Sequence, residues 1–486
     1  MSLAGLKVRG TLAQKTEIVE KVKGGKVFCR LQVGVIMTDG RKASMSNASR
    51  YRCYTLRCVR ITVFYLLALV FLGCQGKVDA PGDDGLDAFS EDGGGFPEDG
   101  GDFAGEQPDA SAVESDDGEV DSGDASADSD HGSDAADGAC VDTCPYADGV
   151  LYGCQRRFMY GVNWAWKRWC GDFGGISAWG FMGVAADRQA FSADLAQMKA
   201  AGASVIRWWM FPRFLSESIL WNADDTPSGI GGTLVADIQA ALELAQEHDV
   251  YLMLTPFSFD NFYPTSEEGG ILSRSIRPMV VDAEKRQRLL ENLVRPVARA
   301  VQQSPYRRRL IAWDLINEPE WAMTGPNMYG GEDFEPNPDC EAVTHAQMKT
   351  FLDELAAVFR QETPGALITV GGAAIKWGTA WKEVDQDFYS LHYYDWVYQW
   401  YPYETVTPES IGLTGKPVVI GEYPIQGLSA VGGQPARTPA QYSADMWRLG
   451  YGGTLAWAFN DPSFPWNPTR LGEFSDQHPC ETAYRQ

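Results

Sequence analysis

The sequence predicts a (β/α)8 barrel that follows a highly charged N-terminal region. Beyond residue 150, short apolar runs typical of strands alternate with helical patterns, and eight such runs can be counted. A barrel of this kind usually has about 250 residues and tolerates insertions, so the chain is long enough for one. A doubly wound open sheet is the alternative, but it would need a glycine-rich phosphate-binding turn after an early strand. The sequence has no such turn.

The eight barrel strands are predicted from runs of apolar residues bounded by polar or glycine-containing segments. In chain order the runs are 158–163, 204–211, 250–257, 310–317, 367–372, 388–394, 417–423 and 454–459.

Helices are predicted where apolar residues recur every three or four positions between these runs. The segments with this pattern are 191–201, 234–246, 286–303, 347–361 and 440–449. The connections 373–387 and 395–416 offer only weak helices. The last helix has to come from 461–486, which is rich in proline.

Charge divides the chain into three regions. The net charge is −24, but residues 1–77 carry 14 Lys and Arg against 3 Asp and Glu. Residues 78–139 carry 21 acidic residues and no Lys or Arg, and the remaining chain has a net charge of −14. Phosphate recognition needs clustered Lys and Arg, so this balance argues against a nucleic-acid-binding protein.

Residues 61–72 form an apolar run that follows several arginines. A membrane span needs roughly 20 apolar residues, so the run is better explained as the core of a secretory signal peptide. Cys74 follows it in a sequence that resembles a bacterial lipoprotein cleavage box, although Phe71 stands where Leu is usual. We therefore predict lipidation of Cys74 and an outer-membrane or cell-surface lipoprotein. A single-pass anchor and an ordinary cleaved signal are the alternatives.

Three domains follow from these regions. Residues 1–74 are an N-terminal extension and signal peptide, with Met45 as the expected start of translation. Residues 75–139 consist mainly of Asp, Gly, Ser, Ala and Glu, and such a segment cannot bury enough apolar surface to fold. We interpret it as a disordered acidic linker rather than a specific calcium site. Residues 140–486 are the predicted barrel domain.

The cysteines that would remain after cleavage are even in number, which suggests disulfides in an exported protein. They are Cys140, Cys144, Cys154, Cys170, Cys340 and Cys480. Sequence alone leaves 15 possible pairings. We prefer Cys170 with Cys340, and we expect 140–154 to form a stapled segment at the bottom of the barrel, which Cys480 could join. A structural metal site is not expected, since no zinc-binding spacing is present.

Active sites of (β/α)8 barrels form at the C-terminal ends of the strands. The fourth predicted strand leads into Asn317-Glu318 and the seventh into Glu422, so the two glutamates should face each other. Glycoside hydrolysis needs such a pair, one carboxylic acid and one carboxylate. We expect Glu318 to have its pKa raised by the neighbouring negative charge, while Arg207 and Tyr394 keep Glu422 ionised.

Several motifs together resemble the retaining (β/α)8 glycoside hydrolases that carry Glu on strands 4 and 7, in particular glycoside hydrolase family 5, with its cellulases and β-mannanases. The motifs are DLINEPEW, VVIGEYP, FMYGVNWAW, VIRWWMF, LHYYDW and GTLAWAFND, and the resemblance covers roughly 155–460. It implies that Glu318 is the acid/base and Glu422 the nucleophile. It also implies that Asn317 binds the 2-hydroxyl of the sugar.

The same resemblance implies that Arg207 and Tyr394 support Glu422, and that His392 and Trp457 line the same subsite. One departure concerns the end of strand 3, where many family members have a His and this chain reads TPFSFDN. Asp260 or Asn261 would contact the sugar there instead.

Tryptophans are concentrated in the predicted loops, where indole rings can stack on the apolar faces of sugars. For any one of them a core position and a sugar-binding position are equally good interpretations, but the set favours a sugar-binding cleft. The set is Trp164, Trp166, Trp169, Trp179, Trp209, Trp321, Trp377, Trp396, Trp400 and Trp466.

The sequence therefore predicts a retaining endo-acting glycoside hydrolase for a β-1,4-linked polysaccharide, with mannan ahead of cellulose or another β-glucan. Its partners would be the polysaccharide and a membrane, reached through the lipid at Cys74. We expect a monomer that needs neither a metal nor an organic cofactor and binds no nucleic acid. An exo-β-glycosidase or transglycosylase on the same barrel and a non-catalytic glycan-binding lipoprotein are the alternatives.

Overall fold

The computed structural model describes residues 142–485 in full and the backbone of the strands Gln14–Lys23 and Lys26–Val35. Those two strands pair antiparallel and belong to a first unit, 1–126, while a second unit covers 127–486. The predicted signal peptide, Cys74 and the acidic linker lie outside the described residues. None of the helices among the described residues has the length and hydrophobicity of a membrane span.

Eight parallel strands close into a barrel, which confirms the predicted fold. Each predicted run overlaps one strand, and the bounds differ by no more than two residues. The strands are β1 (Met159–Asn163), β2 (Val205–Trp209), β3 (Tyr251–Thr255), β4 (Leu310–Asn317), β5 (Leu367–Gly372), β6 (Tyr389–His392), β7 (Val418–Pro424) and β8 (Gly453–Trp457). The barrel closes where β8 pairs with β1.

The described helices overlap each of the five predicted segments, and there are two more, Arg277–Val281, which the pattern did not predict, and Pro468–Ser475, within the proline-rich 461–486. In chain order the helices are α1 (Arg188–Ala200), α2 (Leu234–Glu247), α3 (Arg277–Val281), α4 (Ala283–Leu289), α5 (Arg295–Gln302), α6 (His345–Glu362), α7 (Pro439–Arg448) and α8 (Pro468–Ser475). A π-helical turn, Leu290–Val294, joins α4 to α5, so this region corresponds to one predicted helix. After β5 and β6 the described chain has only 3₁₀ turns, as the weak helical patterns there predicted.

Local sequence explains how α6 forms and where it packs. Thr344 and Gln347 form a capping box at its start, each side chain accepting a hydrogen bond from the other residue's backbone N–H. Further along, Phe359 stacks on Trp313 of β4 with 4.1 Å between ring centroids. The apolar face of the helix is thereby fixed against the strand that leads into Glu318.

The barrel is filled at its N-terminal end. Met159, Val205, Tyr251 and Val419 lie at or near the starts of four strands and belong to one buried cluster. Tyr484, near the C-terminus, packs in the same cluster. Because this end is packed with side chains, only the C-terminal ends of the strands can form a cleft around the barrel axis.

A disulfide between Cys144 and Cys480 joins the segment before β1 to the C-terminus, so Cys480 does join the cysteines near the bottom of the barrel. Cys154 is also disulfide-bonded. The preferred pairing of Cys170 with Cys340 does not form, since both are free thiols. Their surroundings explain this: Cys170 is buried in a separate apolar cluster, and the Cys340 thiol points to the carbonyl of Phe259, with 3.6 Å from Sγ to oxygen.

Candidate active site

Glu318 is the first residue after β4, and its backbone is left-handed, with φ 51° and ψ 49°. A non-glycine residue in this region is strained by roughly 1–3 kcal/mol and persists only where its surroundings hold it. Here its N–H donates to the Gly371 carbonyl at the end of β5, 2.6 Å away. The following turn, Pro319–Ala322, then carries the chain away from the barrel.

Glu422 lies inside β7 and is only 4% exposed. Its Oε1 accepts a hydrogen bond from Arg207 Nη1 at 2.6 Å, and its Oε2 accepts one from the Tyr394 hydroxyl at 2.8 Å. Burial raises the pKa of Tyr394, so this hydroxyl keeps its proton and acts as a donor. The structure thus brings the predicted supporting residues to Glu422.

Arg207, on β2, is fully buried and its remaining N–H groups point to other side chains of the barrel. Nε donates to Asp314 Oδ2 at 2.7 Å, Nη1 to Asn163 Oδ1 at 2.8 Å and Nη2 to Asn317 Oδ1 at 2.8 Å. Thr255 Oγ1 also donates to Asp314. Burial alone would lower the pKa of Arg207, but Asp314 and Glu422 raise it, so the guanidinium stays charged.

Sequence reasoning missed Asn163, Asp314 and Thr255. Each is a buried polar residue in or at the end of an apolar strand, and Asp314 interrupts the run LIAWDLIN. A charge inside such a run needs a partner, because an unpaired buried charge is costly. Asp314 in this run was therefore an available sequence signal, because a buried carboxylate indicates a cationic partner, which here is Arg207.

His392, at the end of β6, connects the two glutamates. Its Nδ1 lies 2.8 Å from Glu318 Oε1 and 3.5 Å from Glu422 Oε2. Burial lowers the pKa of His392 to about 4, so the ring is neutral near pH 7. Nε2 has no hydrogen-bond partner among the described residues. The tautomer with its proton on Nδ1 fits this site, because Nδ1 can then donate a hydrogen bond to the carboxyls.

The two glutamates differ in their electrostatic surroundings. Burial raises the pKa of Glu318 to about 7, and Arg207 opposes this only from a distance. The predicted cause, a neighbouring negative charge, is therefore corrected: burial is responsible. Burial also raises the pKa of Glu422, but His392 and Arg207 lower it. Because Arg207 donates directly to Glu422, this carboxyl is the one that ionises more readily.

A cavity of about 350 Å³ opens above this pair of carboxyls. Its walls are mainly aromatic, and its lining residues are Trp209, Phe259, Asn317, Glu318, Trp321, Ala373, Tyr394, Trp396, Glu422, Trp457 and Phe464. Another cavity, of about 540 Å³, lies beside the start of β7, and none of the predicted site residues is among the described residues that line it.

Four of the predicted tryptophans line the cleft, namely Trp209, Trp321, Trp396 and Trp457. Trp321 follows Glu318 by three residues, and its Nε1 donates to Glu318 Oε2 at 3.0 Å. Trp457 lies at the end of β8, and its Nε1 donates to Asp461 Oδ2 at 3.2 Å. The ring of Trp457 lies 5.5 Å from that of Trp209, so the wall on this side is made of packed indoles.

Three other predicted sugar contacts are placed elsewhere. Trp164 is fully buried and packs on Trp208, 4.3 Å between centroids, so we reinterpret it as a core residue. Asn261 is also fully buried: its amide donates to the Phe211 carbonyl and its oxygen accepts from a backbone N–H, which gives it a structural role. Asp260 is buried beside it, outside the lining of the cleft, and burial raises its pKa to about 6.

Glu318, His392 and Glu422 form the one group of three that could hold a metal ion in the described part of the chain, with ligand atoms within 4.8 Å of one another. These are the three side chains already linked by the contacts of His392 Nδ1 with the two carboxyls. The expectation that no metal is needed stays a prediction.

Comparison with known proteins finds relatives at the level of sequence. The chain is 24% identical over 354 residues to a mannan endo-1,4-beta-mannosidase of Mytilus edulis, a match that covers 65% of this chain and 87% of that protein. It is 23% identical over 361 residues to a protein of the same name from Cryptopygus antarcticus, covering 64% and 82%. No family model matches the chain.

Solved structures share the fold. A beta-mannanase from the blue mussel Mytilus edulis superposes with a TM-score of 0.53 at 21% identity, covering 66% of this chain and 92% of the mussel protein. A beta-1,4-mannanase from the sea hare Aplysia kurodai has a TM-score of 0.52 at 21% identity, covering 67% and 93%. The resemblance to (β/α)8 glycoside hydrolases that the motifs predicted, and with it the prediction of an enzyme of this class, is therefore confirmed.

Proposed function

We propose that the protein is a retaining endo-β-1,4-mannanase in which Glu422 is the nucleophile and Glu318 the acid/base. One observation carries this proposal: a buried carboxyl and a largely buried one face each other in an aromatic cleft, and of the two only Glu422 is hydrogen-bonded to a cation. Glycoside hydrolysis by double displacement needs this division of roles, one ionised carboxylate and one protonated acid.

In the first step, a Glu422 oxygen attacks the anomeric carbon and the bond from that carbon to the glycosidic oxygen breaks. Glu318 gives its proton to the departing oxygen, so the leaving sugar is released as an alcohol. Glu318 is suited to this because burial raises its pKa to about 7. In the second step Glu318, now a carboxylate, takes a proton from water as that water attacks the anomeric carbon. Glu422 then leaves as a carboxylate.

The separation of the carboxyls supports retention of configuration. One oxygen of each lies within 4.8 Å of the other. Retaining enzymes hold the two groups about 5–5.5 Å apart, whereas inverting enzymes leave about 6.5–9.5 Å for a water molecule. At the distance in this cleft, direct attack by Glu422 is geometrically favoured over attack by a water that Glu422 activates.

Mannan is the proposed substrate because both curated relatives are named mannan endo-1,4-beta-mannosidases. The cleft suits a neutral sugar chain: its walls are aromatic, and apolar sugar faces stack on such surfaces. Arg207, the cation nearest the reacting carboxyls, is fully buried and already paired, so it offers no site for an anionic polysaccharide.

The test is a screen of reducing-sugar release from mannan, β-glucan, cellulose and xylan, with the anomeric form of the first product followed by NMR. We expect release from mannan, a mixture of oligosaccharide lengths, and β-configured new ends. A Glu422→Gln protein is the control for contaminating activity. Initial α ends would overturn retention, release of single sugars only would favour the exo-acting alternative, and binding without release would favour a glycan-binding protein.

A further inference from the structure

Three tryptophans form a line that begins at Glu318 and ends in solvent. Trp321 donates to Glu318, Trp396 lies 6.0 Å from Trp321 between ring centroids, and Trp400 lies 6.4 Å from Trp396. Exposure increases along the line, to 39% for Trp396 and 53% for Trp400. A contiguous apolar patch of this kind, continuous with a cleft, is typical of a binding surface.

The outer part of this line is held in place from both sides. The Lys376 ammonium lies 5.6 Å from the centroid of the Trp396 ring and 4.1 Å from that of Trp377. Next to Trp396 in the chain, Asp395 accepts a hydrogen bond from Gln434 Nε2 at 2.7 Å. The turn after β6 is therefore tied to the loops after β5 and β7, and the indole is positioned before any ligand binds.

The line lies on one side of the reacting carboxyls. Trp321, Trp396 and Trp400 follow strands β4 and β6, whereas Trp209 and Trp457 belong to β2 and β8, across the barrel. Under the proposed function, Glu318 protonates the oxygen of the leaving sugar. The tryptophans next to Glu318 therefore lie where the leaving part of the chain passes.

We infer that Trp396 and Trp400 are successive stacking platforms for the leaving part of a β-linked mannan chain, with Trp400 binding the more distant sugar. This inference rests on the proposed function. It assigns the orientation of the bound chain, with the leaving part on the side of Trp396 and Trp400. It also gives a reason for an indole that is more than half exposed, which costs solvation free energy unless a ligand covers it. Substrates whose leaving part is long enough to reach Trp400 should be cleaved faster.

The test compares Trp400→Ala with the wild type on two substrates. Mannohexaose can reach Trp400, whereas 4-nitrophenyl β-mannobioside has a leaving group of one ring and cannot. We expect kcat/KM for mannohexaose to fall by about 3- to 10-fold, the effect of losing one ring stack, while the value for the aryl substrate is unchanged. Trp396→Ala should lower both values. Leu220→Ala, which truncates another exposed apolar side chain, is the matched control.

A second readout is the position of cleavage in mannopentaose carrying ¹⁸O at its reducing end. Removing Trp400 should shift cleavage towards the reducing end, because fewer sugars are then bound on the leaving side. The inference would be overturned if kcat/KM of Trp400→Ala fell equally for mannohexaose and the aryl substrate, or fell for neither. An unshifted cleavage position would also overturn it. Failure of the wild type to cleave mannan would instead overturn the proposed function.

Discussion

The ends of β4 and β7 hold the same side chain in different ways. Glu422 lies within β7, with 5% of its side chain exposed, and both oxygens are hydrogen-bonded, one to the charged Arg207 and one to Tyr394. Its position is set by the barrel itself, because a strand residue cannot move without its neighbours. A nucleophile benefits from this rigidity, since attack needs a fixed approach to the anomeric carbon.

Glu318 lies just beyond β4, in a left-handed turn, with 15% of its side chain exposed. Its partners are Trp321 and the neutral ring of His392, so no cation donates to it. Burial without a directly bonded cation raises the pKa of Glu318 to about 7, whereas Arg207 beside the buried Glu422 keeps that carboxyl closer to ionisation. Both glutamates are shielded from solvent, so burial alone does not separate their roles. The difference lies in the hydrogen-bond donor, which is the charged Arg207 for Glu422 and the neutral Trp321 for Glu318.

Removing the carboxyl at β7 should have the largest effect. In Glu422→Ala no covalent intermediate can form, and we expect kcat on mannan to fall by about 10⁴-fold or more. Added azide should restore part of the turnover by attacking from the vacated side, giving a glycosyl azide of inverted, α configuration. Turnover would be followed by reducing-sugar assay and the adduct by NMR. Unchanged hydrolysis in this variant would refute the assigned nucleophile.

The effect of removing the carboxyl at the end of β4 should depend on the leaving group of the substrate. Glu318→Ala should lower kcat/KM on mannan by about 10²- to 10⁴-fold, the usual contribution of general acid–base catalysis. A dinitrophenyl mannoside needs no protonation of its leaving group, so formation of the intermediate should be nearly normal. Azide should here give the retained, β adduct. The same α adduct from both variants would mean that the two roles are not separate.

The pH profile gives an independent measure of Glu318. Its pKa of about 7 lies above the ordinary 4.5, so the acid is protonated below about pH 7 and loses its proton above it. We expect kcat/KM of the wild type to fall as pH rises through about 7. In Glu318→Ala this alkaline fall should be absent on the activated substrate, and its persistence there would assign it to another group.

A smaller effect is expected from the neutral donor to Glu422. Tyr394→Phe removes the 2.8 Å hydrogen bond to Oε2 and leaves Arg207 in place. A hydrogen bond to a charged group contributes about 1.5–3 kcal/mol, so kcat should fall by about 10- to 100-fold. The acidic limb of the pH profile should move to higher pH, because the carboxylate has lost a donor. An unmoved limb would mean that Arg207 alone sets the ionisation of Glu422.

Most of the fold could be predicted because a parallel barrel buries both faces of its strands. Such strands are continuous apolar runs, and β4, with all eight residues buried, is the clearest case. Glu318 and Glu422 could be predicted because they stand where such runs end, and position in this fold indicates chemistry.

What the sequence could not indicate depends on contacts between distant residues. Asn163 and Asp314 meet at Arg207 only once the barrel has closed. Trp164 and Trp396 both follow strands and look alike in sequence, yet one is fully buried and the other is exposed in the cleft. Loop packing separates them, and no local pattern encodes it.

The smallest catalytic effect is expected at Glu320, two residues beyond Glu318 in the same turn. Its Oε1 accepts from Trp381 Nε1 at 2.7 Å and its Oε2 from the Ala373 N–H at 3.0 Å, which ties the turn to the chain after β5. Burial raises its pKa from the ordinary 4.5 to about 7. The folded state thus holds this proton more tightly than the unfolded chain, and the resulting stability is lost as pH rises from about 4.5 through about 7.

Glu320→Gln cannot ionise, so its free energy of unfolding should fall less between pH 5 and pH 8 than that of the wild type. The amide also places a donor near the Ala373 N–H, which should cost about 1 kcal/mol at low pH. Because neither reacting carboxyl is altered, kcat should change only a few-fold. Urea unfolding at both pH values measures the difference. If the variant and the wild type lost the same stability, Glu320 would not hold its proton more tightly in the folded state than in the unfolded chain, and the difference between the ends of β4 and β7 would not extend to this carboxyl.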